Sequence, residues 1–208
     1  MPRKTVPKVV PRKRRSALEA RAAILDAAER RLVETGPAGI RLQEVAADVG
    51  VSHPTVLHHF GSREALMEAL VARALDSLHA GLLAAVRDAA EGPHQVVTLL
   101  DSVSDALVRG GHGRAFLWLA LSGHTDTVDE LRVRSVAEAV HALRRTRRTG
   151  KKRMPPFEDT YFTVLLPALA LLSMSVLGNA AGAPGDDDAP RRFRAWLARL
   201  IHEHLERD

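Results

Sequence analysis

The chain has 208 residues, of which 46% are hydrophobic and 26% charged, so it carries enough apolar material for one large or two small packed domains. It contains no cysteine, which excludes a disulfide framework and thiolate metal sites. The formal net charge of +5 is concentrated at one end: Arg3, Lys4, Lys8, Arg12, Lys13, Arg14 and Arg15 precede any acidic residue, and without these seven the remaining 23 basic side chains face 25 acidic ones.

Residues 1–15 are too rich in proline, lysine and arginine to bury a core of their own. They predict a basic arm, either solvated or laid along phosphates and into a minor groove, with Arg12, Arg14 and Arg15 nearest the folded unit. Ser16 and Glu19 have the spacing of a capping box, opening a helix with Leu18, Ala22, Leu25, Ala28 and Leu32 on one side and a stop at Gly36-Pro37.

The stretch from Arg41 to Leu66 holds two short amphipathic segments that meet at one glycine. Leu42, Val45, Ala46 and Val49 fall at helical spacing, with Gln43, Glu44, Ala47 and Asp48 on the other side. Gly50 ends that helix, because glycine adopts the left-handed conformation of a C-cap without steric cost. Ser52 is an N-cap and Pro54 sits in the first turn, where a missing N–H is harmless. The second helix runs to Phe60, with Val56 and Phe60 inward and His53, Thr55, His58 and His59 outward. Short helix, glycine turn, short helix is the geometry that lays a second helix in a major groove.

GVSHPTVLHHFGSREAL resembles the signature of TetR-type transcriptional regulators, in which Gly-Val-Ser, Thr-Leu-Tyr, His-Phe, a lysine and a leucine recur in this frame. The match covers residues 16 to 76. Three positions depart from it: Leu57 replaces a tyrosine that touches a phosphate, Arg41 stands where a capping threonine or serine is common, and Arg63 replaces lysine. The resemblance implies an all-α fold of about nine helices. An N-terminal helix-turn-helix domain occupies 16–64, with the motif at about 41–60, and an effector-binding and dimerisation domain occupies 65–208. Ser52, His53, Pro54 and Thr55, at the start of the recognition helix, are placed for base edges. Gln43, Arg41, His58, His59 and Arg63 are expected to make base, phosphate or flanking contacts.

Downstream, the apolar spacing predicts a long helix from about residue 62 to 90, then helices at about 94–109, 114–121, 127–149, 158–180 and 190–206. No valine, threonine and aromatic alternation suggests a strand. The family resemblance implies a small-molecule cavity, for which Leu82, Val86, Leu100, Phe116, Trp118, Leu121 and Leu165 are candidates, since the run from Ala115 to Leu121 is apolar on every side and must be enclosed. Residues 161–184 carry no charge, long enough to suggest a membrane span, but Pro167, Ser173, Ser175 and Asn179 weaken that reading. Burial against a second copy is the expectation, with Phe193, Trp196, Leu197, Leu200 and Ile201 of the last helix completing a four-helix interface.

Other chemistry is thinly signalled. Ser122, His124 and Asp126 lie two residues apart in a helix-breaking loop, and triads are defined by spatial geometry rather than adjacency. The GGHG run at 110–113 follows no strand, so it is not a dinucleotide loop. His202 and His204 point apart on a helix, and His79, His94, His112, His124 and His141 are scattered, so no metal is expected. The basic run Arg144, Arg145, Arg147, Arg148, Lys151, Lys152 and Arg153 closes a helix, where cations suit the dipole. The expectation is a cytoplasmic homodimeric regulator, not an enzyme, with no resident cofactor and no membrane partner. It is expected to act as a repressor on a pseudo-palindromic operator in double-stranded DNA and to release it when an unidentified small molecule enters the C-terminal unit. Its rivals are a ligand-independent architectural DNA binder, with shallow sequence preference and no cavity, and an enzyme reusing the helical scaffold.

Deleting residues 1–15 should weaken binding to every duplex and flatten the dependence of log K on log salt by roughly 0.9 per lost phosphate contact. Titrations at several salt concentrations measure this, and an unchanged slope would place the arm away from DNA.

Overall fold

The computed structural model describes residues 16–87, 93–108, 110–124, 130–147, 154–178 and 186–206. Among these, every regular element is helical: α1 (Ala17–Gly39), α2 (Leu42–Val49), α3 (His53–Phe60), α4 (Arg63–Arg87), α5 (Pro93–Val108), α6 (His112–Leu121), α7 (Glu130–Arg147), α8 (Phe157–Leu177) and α9 (Ala189–Glu206). The basic arm with Arg12, Arg14 and Arg15 lies outside the described residues, as do Asp126, Arg148, Lys151, Lys152 and Arg153.

The capping box forms as the sequence suggests. The Ser16 backbone N–H donates to Glu19 Oε2 at 2.8 Å and the Glu19 N–H donates to Ser16 Oγ at 3.2 Å, satisfying two amides that the first turn would leave unpaired. The apolar stripe is shifted from the sequence expectation. Ile24, Leu25, Ala27, Ala28 and Leu32 are buried, whereas Leu18 is 81% exposed and Ala22 is exposed, so the first turn of α1 stays outside the core. At Gly36 the backbone leaves helical geometry (φ 71, ψ 177), yet helix resumes through Pro37 for one further turn.

Two apolar cores organise the chain. The first unites Ile24, Leu25 and Leu32 of α1 with Val45 of α2, Val56 and Phe60 of α3 and Leu66, Met67, Leu70 and Val71 of α4. Ala115 and Leu119 of α6, both fully buried, close it. The second gathers Leu100 and Leu107 of α5, Leu171 of α8 and Leu197, Ala198 and Ile201 of α9. α7 packs on both α4 and α8. The enclosure expected for the run from Ala115 to Leu121 is only partial: Ala115 and Leu119 are buried, Phe116, Leu117, Trp118 and Ala120 are half-buried and Leu121 is exposed, because α6 packs by one side, and that side joins the N-terminal unit.

α4 and α8 are each long and apolar enough to cross a membrane. In this fold α4 is a shared wall of the first core, whereas α8 buries Thr160, Pro167, Leu171 and Ser175 and leaves Phe162, Leu166, Leu169, Val176 and Leu177 exposed.

Polar side chains brace the second unit. Arg144, almost wholly buried, donates to Asp159 Oδ2 and to Thr160 Oγ1, both at 2.8 Å, and His204 Nε2 lies 2.8 Å from Asp159 Oδ1. Burial would push the Asp159 carboxyl up, but the hydrogen bonds from Arg144 and His204 outweigh it and hold the group below its ordinary value. A carboxyl whose affinity for protons is lowered by folding stabilises the native state above its unfolded pKa of about 3.9, and that stability is lost as pH falls through the folded value. Asp159→Ala should therefore cost about 3 kcal/mol near neutrality by leaving buried Arg144 without this carboxylate, as read from urea unfolding. The two proteins should converge in strongly acidic buffer; a difference that persisted there would mean the loss is one of packing.

Candidate nucleic-acid interface

The turn between α2 and α3 is built by its glycine. Gly50 takes φ 71 and ψ 37, its N–H donates to Ala47 O at 3.1 Å, and the Val51 N–H reaches back to Ala46 O at 3.0 Å. Any other residue would be strained there. Ser52 then caps α3: its Oγ accepts from the Thr55 N–H at 3.3 Å and pairs with Thr55 Oγ1 at 2.8 Å.

With Val56 and Phe60 held in the core, the opposite side of α3 faces outward. Ser52, Pro54, Leu57 and His58 are exposed and His53, Thr55 and His59 half-buried. The far end of α3 is fastened to α1 by Arg21, whose Nη1 donates to the His59 carbonyl at 3.2 Å while its guanidinium lies 4.3 Å from the Phe60 ring centroid. On α2, Arg41 is the N-cap in extended conformation with no side-chain capping bond, and it and Gln43 are exposed.

Two carboxylates on α2, Glu44 and Asp48, would repel phosphate if left bare. Arg31 of α1 compensates them, with Nη1 2.5 Å from Glu44 Oε2, Nε 2.6 Å from Asp48 Oδ2 and Nη2 2.9 Å from Asp48 Oδ1. The hydrogen bond from Arg31 holds the Asp48 carboxyl below its ordinary value.

Arg63 departs from its expected phosphate role. Its Nη2 donates to the Pro37 carbonyl at 2.6 Å, its guanidinium lies 4.8 Å from the Trp118 ring centroid, and its Nε is buried without an acceptor. The carbonyl at the end of α1 and the indole face draw the side chain inward, so Arg63 joins α1, α4 and α6.

The seven cavity candidates are dispersed. Leu82 lines a groove of about 780 Å³ between α4 and α5. Val86 and Leu100 are buried, Leu100 in the second core, and Leu165 is half-buried. Phe116 and Trp118 pack against the first core, and Leu121 is 89% exposed at the end of α6. The dimer stripe also divides. Leu197 and Ile201 are buried in the chain's own second core with Phe193 against them, while Trp196, 51% exposed, and Leu200 face outward. Among the described residues no group of three histidine, aspartate or glutamate side chains is placed to hold a metal ion.

Sequence reasoning missed Arg21, Arg31 and Arg73, the last donating to Asp26 Oδ1 and Glu29 Oε2 at 2.6 Å each. An arginine on a helix reads as solvated until its partner helix docks, and these partners lie 17 to 47 positions away, apart from the 13 between Arg31 and Glu44.

Arg63→Ala should lower thermal stability by about 1–2 kcal/mol, the worth of a partly desolvated cation–π contact and a hydrogen bond. In a Trp196→Phe background it should shift Trp118 emission and leave the salt slope of DNA binding unchanged. A slope reduced by one phosphate contact would restore Arg63 to the interface.

Residues 24–70 match the family model described as bacterial regulatory proteins, tetR family. The chain is 30% identical over 139 residues to the HTH-type transcriptional regulator BetI of Rhizobium meliloti (strain 1021), covering 67% of this chain and 68% of that one. Among solved structures, a TetR-family transcriptional regulator from Pectobacterium atrosepticum superposes with a TM-score of 0.68 at 17% identity, over 91% of this chain and 95% of that one. A TetR variant from Acinetobacter baumannii AYE in complex with minocycline gives 0.61 at 18% identity, over 89% and 96%. With its glycine-hinged reader, its nine described helices and these relatives, the chain belongs to the TetR family of DNA-binding bacterial transcriptional regulators.

Proposed function

We propose that this regulator is a repressor that occupies a palindromic operator as a homodimer in the cytoplasm and leaves it when a small molecule binds the C-terminal unit. The observation that carries the reading is the outward side of α3, where Ser52, His53, Pro54 and Thr55 are offered at the helix start by the burial of Val56 and Phe60. Residues at that end of a recognition helix meet base edges, while exposed Arg41 and Gln43 on α2 and His58 and His59 further along α3 suit phosphates and flanking bases.

Dimerisation is supported by α8, whose outward residues Phe162, Leu166, Leu169, Ser173 and Val176 follow at alternating steps of four and three. That is the spacing of a helix seam, and Trp196 and Leu200 add an apolar step on α9. Two copies meeting about a twofold axis would cover the same patch on each other and set two recognition helices for two half-sites. Effector control is supported by the groove beside α4 and by the solved relative bound to minocycline. It needs no resident cofactor, only a ligand with different affinity for the two states of the regulator.

His53→Ala and Thr55→Ala should each change sequence preference, a base contact being worth about 1 to 3 kcal/mol. Binding to randomised duplexes selects between this reading and a non-specific architectural binder, which would show no such change.

Leu166→Asp, on the exposed side of α8, should give a monomer by sedimentation and lose operator affinity by at least about a hundredfold, because a charge cannot be buried unpaired in a dry contact and one half-site binds weakly. A dimeric Leu166→Asp protein would remove α8 from the interface.

A further inference from the structure

α3 carries one large apolar side chain that the described residues leave exposed. Val56 and Phe60 enter the core, but Leu57, turned roughly 100° round the helix from Val56, stays 37% exposed. Its main chain is fixed, because its carbonyl accepts the Gly61 N–H at 2.7 Å where the helix ends. A single exposed leucine is ordinary on a protein surface. Leu57 differs by its position. Residues three and four apart are neighbours on a helix, so it lies one turn beyond His53 and Pro54, on the side where α3 presents its first residues outward.

The chemistry tells against a phosphate role at this position. α3 contains no lysine or arginine, Arg63 just beyond it is drawn inward to Pro37 and Trp118, and a leucine side chain offers nothing to a phosphate oxygen. Among base edges in the major groove the apolar feature is the C5-methyl of thymine. Leucine against that methyl removes apolar surface from water on both partners. Leucine against guanine O6 and N7 or cytosine N4 would desolvate a polar group and leave it unpaired. Three residues of helix advance about 4.5 Å and base pairs repeat at roughly 3.4 Å, so Leu57 meets a pair one or two steps beyond the one that Pro54 reaches.

We propose that Leu57 is a specificity-determining residue, which selects a thymine in each operator half-site by packing on its C5-methyl group. The inference rests on α3 as the helix that reads bases. His53 and Thr55 discriminate by hydrogen bonding, and Leu57 adds an apolar requirement one turn further on.

The test starts with selection of duplexes from a randomised pool by the full-length protein. Each thymine of the selected half-site is then replaced by deoxyuridine, which removes the methyl and keeps every hydrogen-bonding group. One such replacement should weaken binding about threefold to fivefold, the worth of one methyl withdrawn from water. The same replacement should cost nothing in Leu57→Ala, whereas Leu57→Met, which keeps an apolar reach, should restore the penalty. Leu57→Ala should also relax base preference at that pair alone, and its thermal midpoint should match the wild type because the side chain is outside the core. A methyl penalty equal in the wild type and Leu57→Ala, or no penalty at any thymine, would overturn the contact. So would uniform weakening of all duplexes by Leu57→Ala, which would place the leucine against sugars and phosphates. A consensus that depends on His53 and Thr55 but shows no methyl effect coupled to Leu57 removes this contact and leaves α3 as the reader. A pool that yields no consensus overturns both.

Discussion

The structure depends on a core that the DNA-reading unit cannot complete by itself. α2 and α3 are eight residues each, too short to persist as isolated helices, so they exist only by burying Val45, Ala46, Val56 and Phe60 against α1 and α4. The last side of that core is supplied from the body, by Ala115 and Leu119 of α6. Reader and body therefore share one close-packed interior, and a displacement of α6 cannot be absorbed without repacking around α1 and α4. Trp118 and Phe116, on the same helix, are drawn to this junction.

Around the shared core, four arginines turn contact into orientation. Arg21 fastens the end of α3 to α1, Arg31 fastens α2 to α1, Arg73 fastens α4 to α1, and Arg63 links the end of α1 to Trp118 of α6. Partly exposed ion pairs add little stability individually, but a planar guanidinium held by two carboxylates, as in Arg31 and Arg73, or by a carbonyl and an aromatic face, as in Arg21 and Arg63, allows few relative positions of the helices it joins. α1 is common to all four. Glu29, also on α1, pairs with Arg73 of α4 and faces His112 of α6, so three helices meet at one carboxylate.

The body has the opposite problem, an excess of apolar surface. α5 lies against both α8 and α9, and Leu100, Leu171 and Leu197 close the second core. This uses one side of α8 and leaves Phe162, Leu166, Leu169 and Val176 outside, and Trp196 of α9 is exposed as well. An apolar stripe of that length on a helix already packed on its other side is hydrophobic surface that the chain itself does not cover, which supports the proposed dimer.

What the sequence by itself determined is local. The capping box at Ser16, the left-handed glycine at 50, the serine cap at 52 and the 3.6-residue spacing of leucines and alanines each act within a turn or two of chain, so helix number, approximate bounds and the reader were legible. The family resemblance carried by residues 50–66 has the same origin, because a helix-turn-helix is specified by short-range geometry. What only the tertiary structure decided is where each apolar or charged side is spent. Spacing marks Phe116, Trp118, Leu197 and Ile201 as apolar, but not whether they wall a cavity, face a partner or fill the chain's own core. Arg63 reads as a phosphate ligand until Pro37 and Trp118 are brought to it, and His112 reads as a scattered histidine until Glu29, 83 residues earlier, stands 3.3 Å from its ring. Those assignments depend on contacts between residues far apart in the chain, which exist only once the helices have packed.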